Sequence, residues 1–210
     1  MRWMPDTQEL IRTALQSLTG FFHDCCTAAD EHKRKTASLL AYWLRDYVRF
    51  LRKEGEARIY KRFQRGDIVK VHLGYRVGSE EGGLHYAVVV SSTDSVKSPT
   101  LVVIPLTSVK SQKRVERLRY SEVFLGDELW QKMYEKSQVS PNNALSKELE
   151  KMRLGSIALV NQIVTISKLR IYSLKRDASA LNGIRFSTKT MQQIDEKMRQ
   201  ILFLQKLDKR

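Results

Sequence analysis

The chain has 210 residues, of which 42% are hydrophobic, so it can bury the core of one ordinary domain together with an appendage. Lys and Arg outnumber Asp and Glu by 37 to 23, giving a formal net charge of +14. This charge indicates a polyanionic partner, and nucleic acid, an anionic membrane and an acidic protein all fit. No apolar run approaches the roughly 20 residues of a membrane span, and the chain does not begin with a signal-peptide core, so we expect a cytoplasmic protein.

The positive charge is unevenly distributed along the chain. Residues 1–60 carry a net charge of +2, whereas residues 61–210 carry +12. The C-terminal part is therefore the one expected to face the polyanion. The two cysteines, Cys25 and Cys26, are adjacent and cannot readily bridge to each other, which fits a reducing compartment.

Residues 1–58 are predicted to form a helical hairpin as a separate region. Asp6 is a predicted N-cap, and apolar residues recur at helical spacing first from Leu10 to Cys25 and then from Leu39 to Leu51. Gly55 ends the pattern. Potential metal ligands fall in this region but lack paired Cys spacing and lie on different helix faces, so no metal or other cofactor is expected. They are His23, Asp24, Cys25, Cys26, Glu31 and His32.

Residues 59–210 are predicted to form a second domain, in which short β-branched segments alternate with helices. This pattern predicts an α+β fold with a small curled antiparallel sheet or barrel. The predicted strands are Asp67–Leu73, His85–Ser91, Leu101–Leu106, Ser156–Val160 and Ile163–Ile171. Helices are predicted for Leu125–Met152, with a break near Ser140-Pro141, and for Lys189–Leu204.

The stretch RGDIVKVHLGYRVGSEEGGLHYAVVVSS, residues 65–92, combines two strands with a glycine-rich loop. Gly78, Gly82 and Gly83 permit backbone conformations through which loop amides approach a phosphate, although a flexible hairpin connection is the commoner use of such glycines. His85 stands where the loop re-enters the sheet, and its imidazole can exchange protons near neutral pH. A purely structural histidine is the alternative.

A second chemical signal follows in SPTLVVIPLTS, residues 98–108, where a buried strand ends in two hydroxyl residues. Thr107 is therefore the candidate partner of His85. The basic residues after this strand fit either an RNA-backbone track or a solvated loop. They are Lys110, Lys113, Arg114, Arg117 and Arg119.

Four blocks in this order resemble the MazF/PemK toxins of toxin–antitoxin pairs, namely RGDIV, GSEEGGLHYAVVVSS, SPTLVVIPLTS and GSIALVNQIVTISKLRI. The resemblance covers nearly all of residues 60–205. It implies an SH3-like β-barrel with added helices, shared with the related gyrase poisons, that forms a homodimer. It also implies cleavage of single-stranded RNA at short motifs, without a metal, and neutralisation by a cognate antitoxin.

In that family, the reaction depends on an arginine after the glycine-rich loop and a threonine at the end of the later strand. These positions correspond to His85 and Thr107 in this chain. His85-Tyr86 thus replaces the usual Arg-Pro, as in a Gram-positive and phage-associated branch. The common QIRTID block reads QIVTIS here, so Val164 and Ser167 replace an arginine and an aspartate implicated in substrate handling.

The departures leave the chemistry feasible, because RNA supplies its own 2′-hydroxyl nucleophile. The predicted roles are proton transfer for His85 and a hydrogen bond to phosphate or help to the leaving group for Thr107. The expected products are a 2′,3′-cyclic phosphate and a 5′-hydroxyl. Six further residues are predicted to bind RNA, three by charge and three by their match to family positions: Arg76, Lys168 and Arg170, and Ser79, Glu80 and Gln162.

Two other functions fit the same blocks. A non-catalytic RNA-binding regulator would not need His85, and a gyrase poison of this fold would need an aromatic C-terminal tail, whereas this chain ends in the charged segment Lys206–Arg210. The N-terminal hairpin is an addition to the family pattern. It could pack on the barrel, extend a dimer interface or occupy the antitoxin groove.

Overall fold

The computed structural model describes residues 6–54, 60–139, 143–172, 181 and 183–203, with the backbone alone for residues 143–147. The chain divides into two compact units, residues 1–54 and residues 55–210. The domain boundary predicted at residues 58 and 59 lies outside the described residues. The fold is α+β, with two helices before an antiparallel sheet.

The first unit is a pair of helices, α1 (Thr7–Thr27) and α2 (Glu31–Leu51). Each begins at an aspartate whose carboxylate accepts a backbone N–H, Asp6 from Gln8 and Asp30 from His32. Within these described helices only Cys25 and Ala37 are buried. No helix in the described ranges is both long and apolar enough to cross a membrane.

The second unit is built on six antiparallel strands. They are β1 (Ile68–His72), β2 (Leu84–Val89), β3 (Thr100–Ser108), β4 (Glu122–Phe124), β5 (Ser156–Leu159) and β6 (Val164–Ser167). The order in the sheet is β1-β2-β3-β5-β4, and β6 also pairs with β3. A bridge between Val71 and Ile171 brings the chain after β6 back to β1, so the sheet curls towards a barrel.

Strand β3 is long enough to hold two partners along one edge. Its start pairs with β6 from Thr100↔Ser167 onward, and its end pairs with β5 from Leu106↔Ala158 onward. The turn that joins β5 to β6, a 3-10 helix at Val160–Gln162, therefore lies beside the sheet rather than away from it. This placement brings Gln162 towards the edge of the sheet beside β3.

Alternate residues divide the sheet into two apolar faces. One face contains Val88, Ile104 and Leu106 and is covered by helices, including α4 (Glu128–Val139) and α6 (Thr188–Leu202). The other contains Val71, Ala87, Val103 and Ile166 and fills the curl of the sheet. Odd-numbered residues of β2 and β3 belong to this second face.

The predicted helices are present, and the second unit has two further elements that were not predicted. The long helical segment consists of α4 and α5 (Asn143–Met152), and the break predicted near Ser140-Pro141 falls outside the described residues, as does Leu204. Strand β4 and the short helix α3 (Gln112–Glu116) were not predicted. The strand predicted for Ile163–Ile171 ends at Ser167, whose hydroxyl accepts the Leu169 N–H and begins a 3-10 turn, Lys168–Arg170.

Lys168 is fully buried, which corrects its predicted role in RNA binding. Its Nζ lies 2.7 and 2.8 Å from the two carboxylate oxygens of Asp94 and also donates to the carbonyls of Lys61 and Ser95. A lysine with no exposed surface cannot contact a phosphate in solvent. The pair instead ties the β2–β3 connection to the segments that precede β1 and follow β6.

Replacing Lys168 by Met is expected to destabilise the second unit by about 3–5 kcal/mol, because the buried Asp94 carboxylate would lose its ion-pair partner. Urea unfolding followed by circular dichroism measures the loss. Lys97→Met, at an exposed lysine near Asp94, is the matched control and is expected to change stability by less than about 0.5 kcal/mol. Equal stability of the two variants would show that the ion pair is dispensable.

Candidate active site

The strand register places the two predicted catalytic residues at one end of the sheet. The last β2–β3 pair at this end is Tyr86↔Leu106, and the next residues outward are His85 and Thr107. Both side chains are odd-numbered on their strands and therefore point to the same face of the sheet. Both are partly buried, as suits groups held by a strand at the edge of the core.

His85 is held between two oxygen acceptors. Its Nε2 lies 2.9 Å from Oε1 of Glu81, and its Nδ1 lies 3.5 Å from the carbonyl oxygen of Leu106. The hydrogen bond to Glu81 is the main cause that raises the pKa of the imidazole above its ordinary value, against the opposing effect of burial. The same hydrogen bond lowers the pKa of the Glu81 carboxyl.

Hydrogen bonds hold the loop that carries Glu81 at its tip and at its neck. At its tip, the Glu81 N–H donates to Oε1 of Gln162, and Nε2 of Gln162 donates to the Ser79 carbonyl. At its neck, Gly83 is joined by backbone hydrogen bonds to Gly74 and Leu73. Gly82 leaves no room for a side chain, because a Cβ there would stand 2.9 Å from the Gly74 carbonyl oxygen. The loop conformation therefore depends on the missing side chain at Gly82 and on the two hydrogen bonds of the Gln162 side chain.

Beside this loop lies an open cleft of about 420 Å³. Thr107, Ser79 and Gln162 line it, as does Glu81, while His85 is not among the lining residues. His85 adjoins this lining through Glu81, which it contacts, and through Thr107, which stands beside it in the strand register. Thr107, Ser79 and Gln162 are site residues predicted from the sequence, and the fold brings these three to one cavity.

The opposite wall of the cleft is basic. Lys110, Arg114 and Arg119 line it, all from the segment after β3. Arg114 is committed to the buried Glu122, with 2.6 Å between its guanidinium and the carboxylate. Burial alone would raise the pKa of Glu122, but the hydrogen bonds from Arg114 and from the Arg119 backbone hold it below its usual range. Lys110 and Arg119, both exposed, are the cations of this wall that are not used in this ion pair.

Three other residues predicted to bind RNA lie outside the cleft lining. Arg76 donates from Nε to the Leu73 carbonyl and lies 3.6 Å from the carboxylate of Glu80. Glu80 is exposed on the loop. Arg170 donates to the carbonyl of His72, at the end of the sheet formed by β1. These contacts stabilise the loop and the barrel closure.

Glu81 is the main site residue that was not predicted from the sequence. It precedes His85 by four residues, but this spacing brings side chains together reliably only in a helix. In this loop the contact depends on the turn at Gly82-Gly83, where Gly83 has a φ of +80°. The one signal in the sequence was the acidic pair Glu80-Glu81, which stands a few residues before His85. Among the described residues no group of three or more His, Cys, Asp or Glu is placed to hold a metal ion.

The Glu81–His85 pair is expected to make stability depend on pH. A raised His85 pKa adds stability below about pH 6.5 that is lost as the pH rises through the folded-state value, and a lowered Glu81 pKa adds stability above about pH 4.5 that is lost on acidification. Urea unfolding of the Glu81→Gln variant should therefore show its largest deficit, about 0.5–1 kcal/mol, between these limits. A deficit that is constant from pH 3 to 9 would contradict the pairing.

The comparisons with known proteins assign the family. A family model described as "PemK-like, MazF-like toxin of type II toxin-antitoxin system" matches residues 64–202. Among solved structures, the chain is similar to MazF (Form-I) from Deinococcus radiodurans, with 16% sequence identity and a TM-score of 0.41, covering 69% of this chain and 99% of that one. No curated protein matches the chain significantly. On the extent of the family-model match, this chain belongs to the PemK-like, MazF-like toxins of type II toxin–antitoxin systems.

Proposed function

We propose that this toxin is a metal-independent endoribonuclease that cleaves single-stranded RNA. The observation that carries the proposal is the placement of His85 and Thr107 at adjacent register positions, next to a polar cleft with a basic wall. A proton-exchanging group, a hydroxyl and a cationic surface are the groups that RNA transesterification needs from a protein.

The proposed reaction uses the nucleophile of the RNA itself. The 2′-oxygen forms a bond to the adjacent phosphorus while the bond from phosphorus to the 5′-oxygen breaks. The 2′-hydroxyl loses a proton and the 5′-oxygen gains one, so the products are a 2′,3′-cyclic phosphate and a 5′-hydroxyl. His85 is the proposed proton-exchanging residue, and Thr107 donates a hydrogen bond to the phosphate.

The basic wall suits the rest of the RNA strand. Lys110 and Arg119 line the cleft together with Thr107, and a phosphate next to the scissile one can be neutralised there. Ser79 and Gln162, on the opposite wall, carry hydrogen-bonding groups that suit the edge of an unpaired base. We propose that these four residues, rather than Lys168 or Arg170, hold the substrate around Thr107.

The family membership also supports two partners. We propose that a cognate antitoxin protein neutralises this toxin and that the toxin acts as a homodimer. Size-exclusion chromatography with light scattering tests the dimer, and co-expression with the product of a small neighbouring gene tests the antitoxin.

Loss of the proton-exchanging group is expected to slow cleavage by about 100-fold or more in His85→Ala. Thr107→Val removes one hydrogen bond to a charged phosphate, about 1.5–3 kcal/mol, and should slow cleavage about 10-fold to 150-fold. The measurement is single-turnover cleavage of a defined RNA in EDTA, with mapping of the ends. Thr100→Val, the same substitution at the other end of β3, is the matched control.

Two results would count against this function. Undiminished cleavage by folded His85→Ala would remove the imidazole from the reaction. RNA binding without any cleavage by the unaltered protein would favour the non-catalytic regulator.

Removal of two cations from the basic wall is expected to weaken RNA binding and its dependence on salt. For single-stranded RNA the slope of log K against log salt is about −0.7 per neutralised phosphate, so Lys110→Gln with Arg119→Gln should reduce its magnitude by about 1.4. Fluorescence anisotropy at several salt concentrations measures the slope. Lys97→Gln with Lys189→Gln removes the same charge from exposed positions outside the cleft lining, and an equal effect there would mean that only net charge matters.

A further inference from the structure

We infer that Glu81 is a positioning residue that favours the doubly protonated form of the His85 ring, so that His85 enters the proposed reaction as a proton donor. The inference rests on the proposed function only for its catalytic consequence. Glu81 belongs to the loop before β2, and it contacts the imidazole of His85, which β2 carries.

The first step of the argument is the geometry of the two ring nitrogens. A neutral imidazole has one N–H donor and one acceptor nitrogen, whereas the imidazolium has two donors. Both neighbours of the His85 ring are acceptors, a carboxylate oxygen at 2.9 Å from Nε2 and a carbonyl oxygen at 3.5 Å from Nδ1. Only the doubly protonated ring can donate to both.

The second step is the electrostatic surroundings of the ring. The flanking positions on β1 and β3 are Val71, Leu106 and Thr107, none of which ionises near neutral pH. Glu81 is the one ionisable group that shifts the His85 pKa among the described residues, and backbone hydrogen bonds with Leu106 and Gly82 add to the effect. The side chains of His85 and Glu81 are only 26% and 28% exposed, so solvent screens their attraction incompletely.

The third step is the position of the carboxylate. Gln162 holds the Glu81 backbone, and Gly82 forbids a side chain at the neck, so the loop presents Glu81 at a fixed place. When the bond to the 5′-oxygen breaks, the imidazolium gives that oxygen its Nδ1 proton, because the 3.5 Å contact to the Leu106 carbonyl is long while the Nε2 proton stays with Glu81, and the proton lost by the 2′-hydroxyl passes to water in the open cleft. His85 then regains a proton from water.

The decisive experiment is a titration of the histidine side chains of the full-length protein by nuclear magnetic resonance. The His85 signal is identified by its loss in His85→Gln. We expect the His85 pKa to lie above the ordinary histidine value near 6.5 and to fall in Glu81→Gln. Glu80→Gln is the matched control, since it removes the adjacent negative charge from a carboxylate that pairs with Arg76, and it should leave the His85 titration close to that of the unaltered protein.

The catalytic consequence is measured by the pH dependence of single-turnover RNA cleavage. Cleavage should fall as the pH rises through the His85 pKa, and Glu81→Gln should move this fall to lower pH. In a double-mutant cycle, Glu81→Gln should add no further loss to His85→Ala, because Glu81 acts through the imidazole.

An unchanged His85 titration in Glu81→Gln would overturn the inference, whether or not the protein cleaves RNA. A shifted titration with an unmoved pH profile would overturn the assignment of His85 as proton donor. Absence of all cleavage would overturn the proposed function, and the titration would still decide the effect of Glu81 on the histidine.

Discussion

The register of β2 against β3 is the constraint on which the candidate site depends. Side chains alternate between the two faces of the sheet, so a slip by one residue would send His85 to the helix-covered face and leave Thr107 without it. The apolar residues of the same strands prevent this slip, because Ala87 and Val103 fill the curl while Val88 and Ile104 meet the helices. The packing of the core residues therefore determines which face of the sheet His85 and Thr107 occupy.

The site also bears on the expectation from sequence that a histidine stands where the family pattern has arginine. A guanidinium is positively charged at every physiological pH, whereas an imidazole is charged only below its pKa. The carboxylate of Glu81 stabilises the imidazolium and raises its pKa, so that His85 carries a positive charge over a wider pH range than an ordinary histidine. Substitutions at the two positions are therefore expected to be coupled, since loss of the glutamate would lower the pKa of the histidine.

Sequence patterns predicted the strands and helices that have a repeating apolar face, such as β2, β3 and α6. They missed β4, because its three residues are too few for a period. Its buried Glu122 pairs with Arg114 and accepts the Arg119 backbone N–H, neither of which the sequence pattern indicates. They placed Thr107 correctly at a strand end but assigned Lys168 to solvent, because a charge in the sequence carries no information about a buried partner 74 residues away. Glu81 escaped notice because its contact depends on a turn and not on a helical or strand period.

The two N-terminal helices bury few of their apolar side chains. Leu10, Ile11, Leu15, Leu39 and Tyr42 each keep more than half of their surface exposed. The heat capacity change of unfolding comes mainly from apolar surface that becomes newly hydrated, so melting of this hairpin adds little to it. The unfolding of residues 55–210 would therefore dominate a calorimetric trace of the whole chain. A single sharp peak would show that these residues unfold cooperatively, and it would say little about the two helices before them.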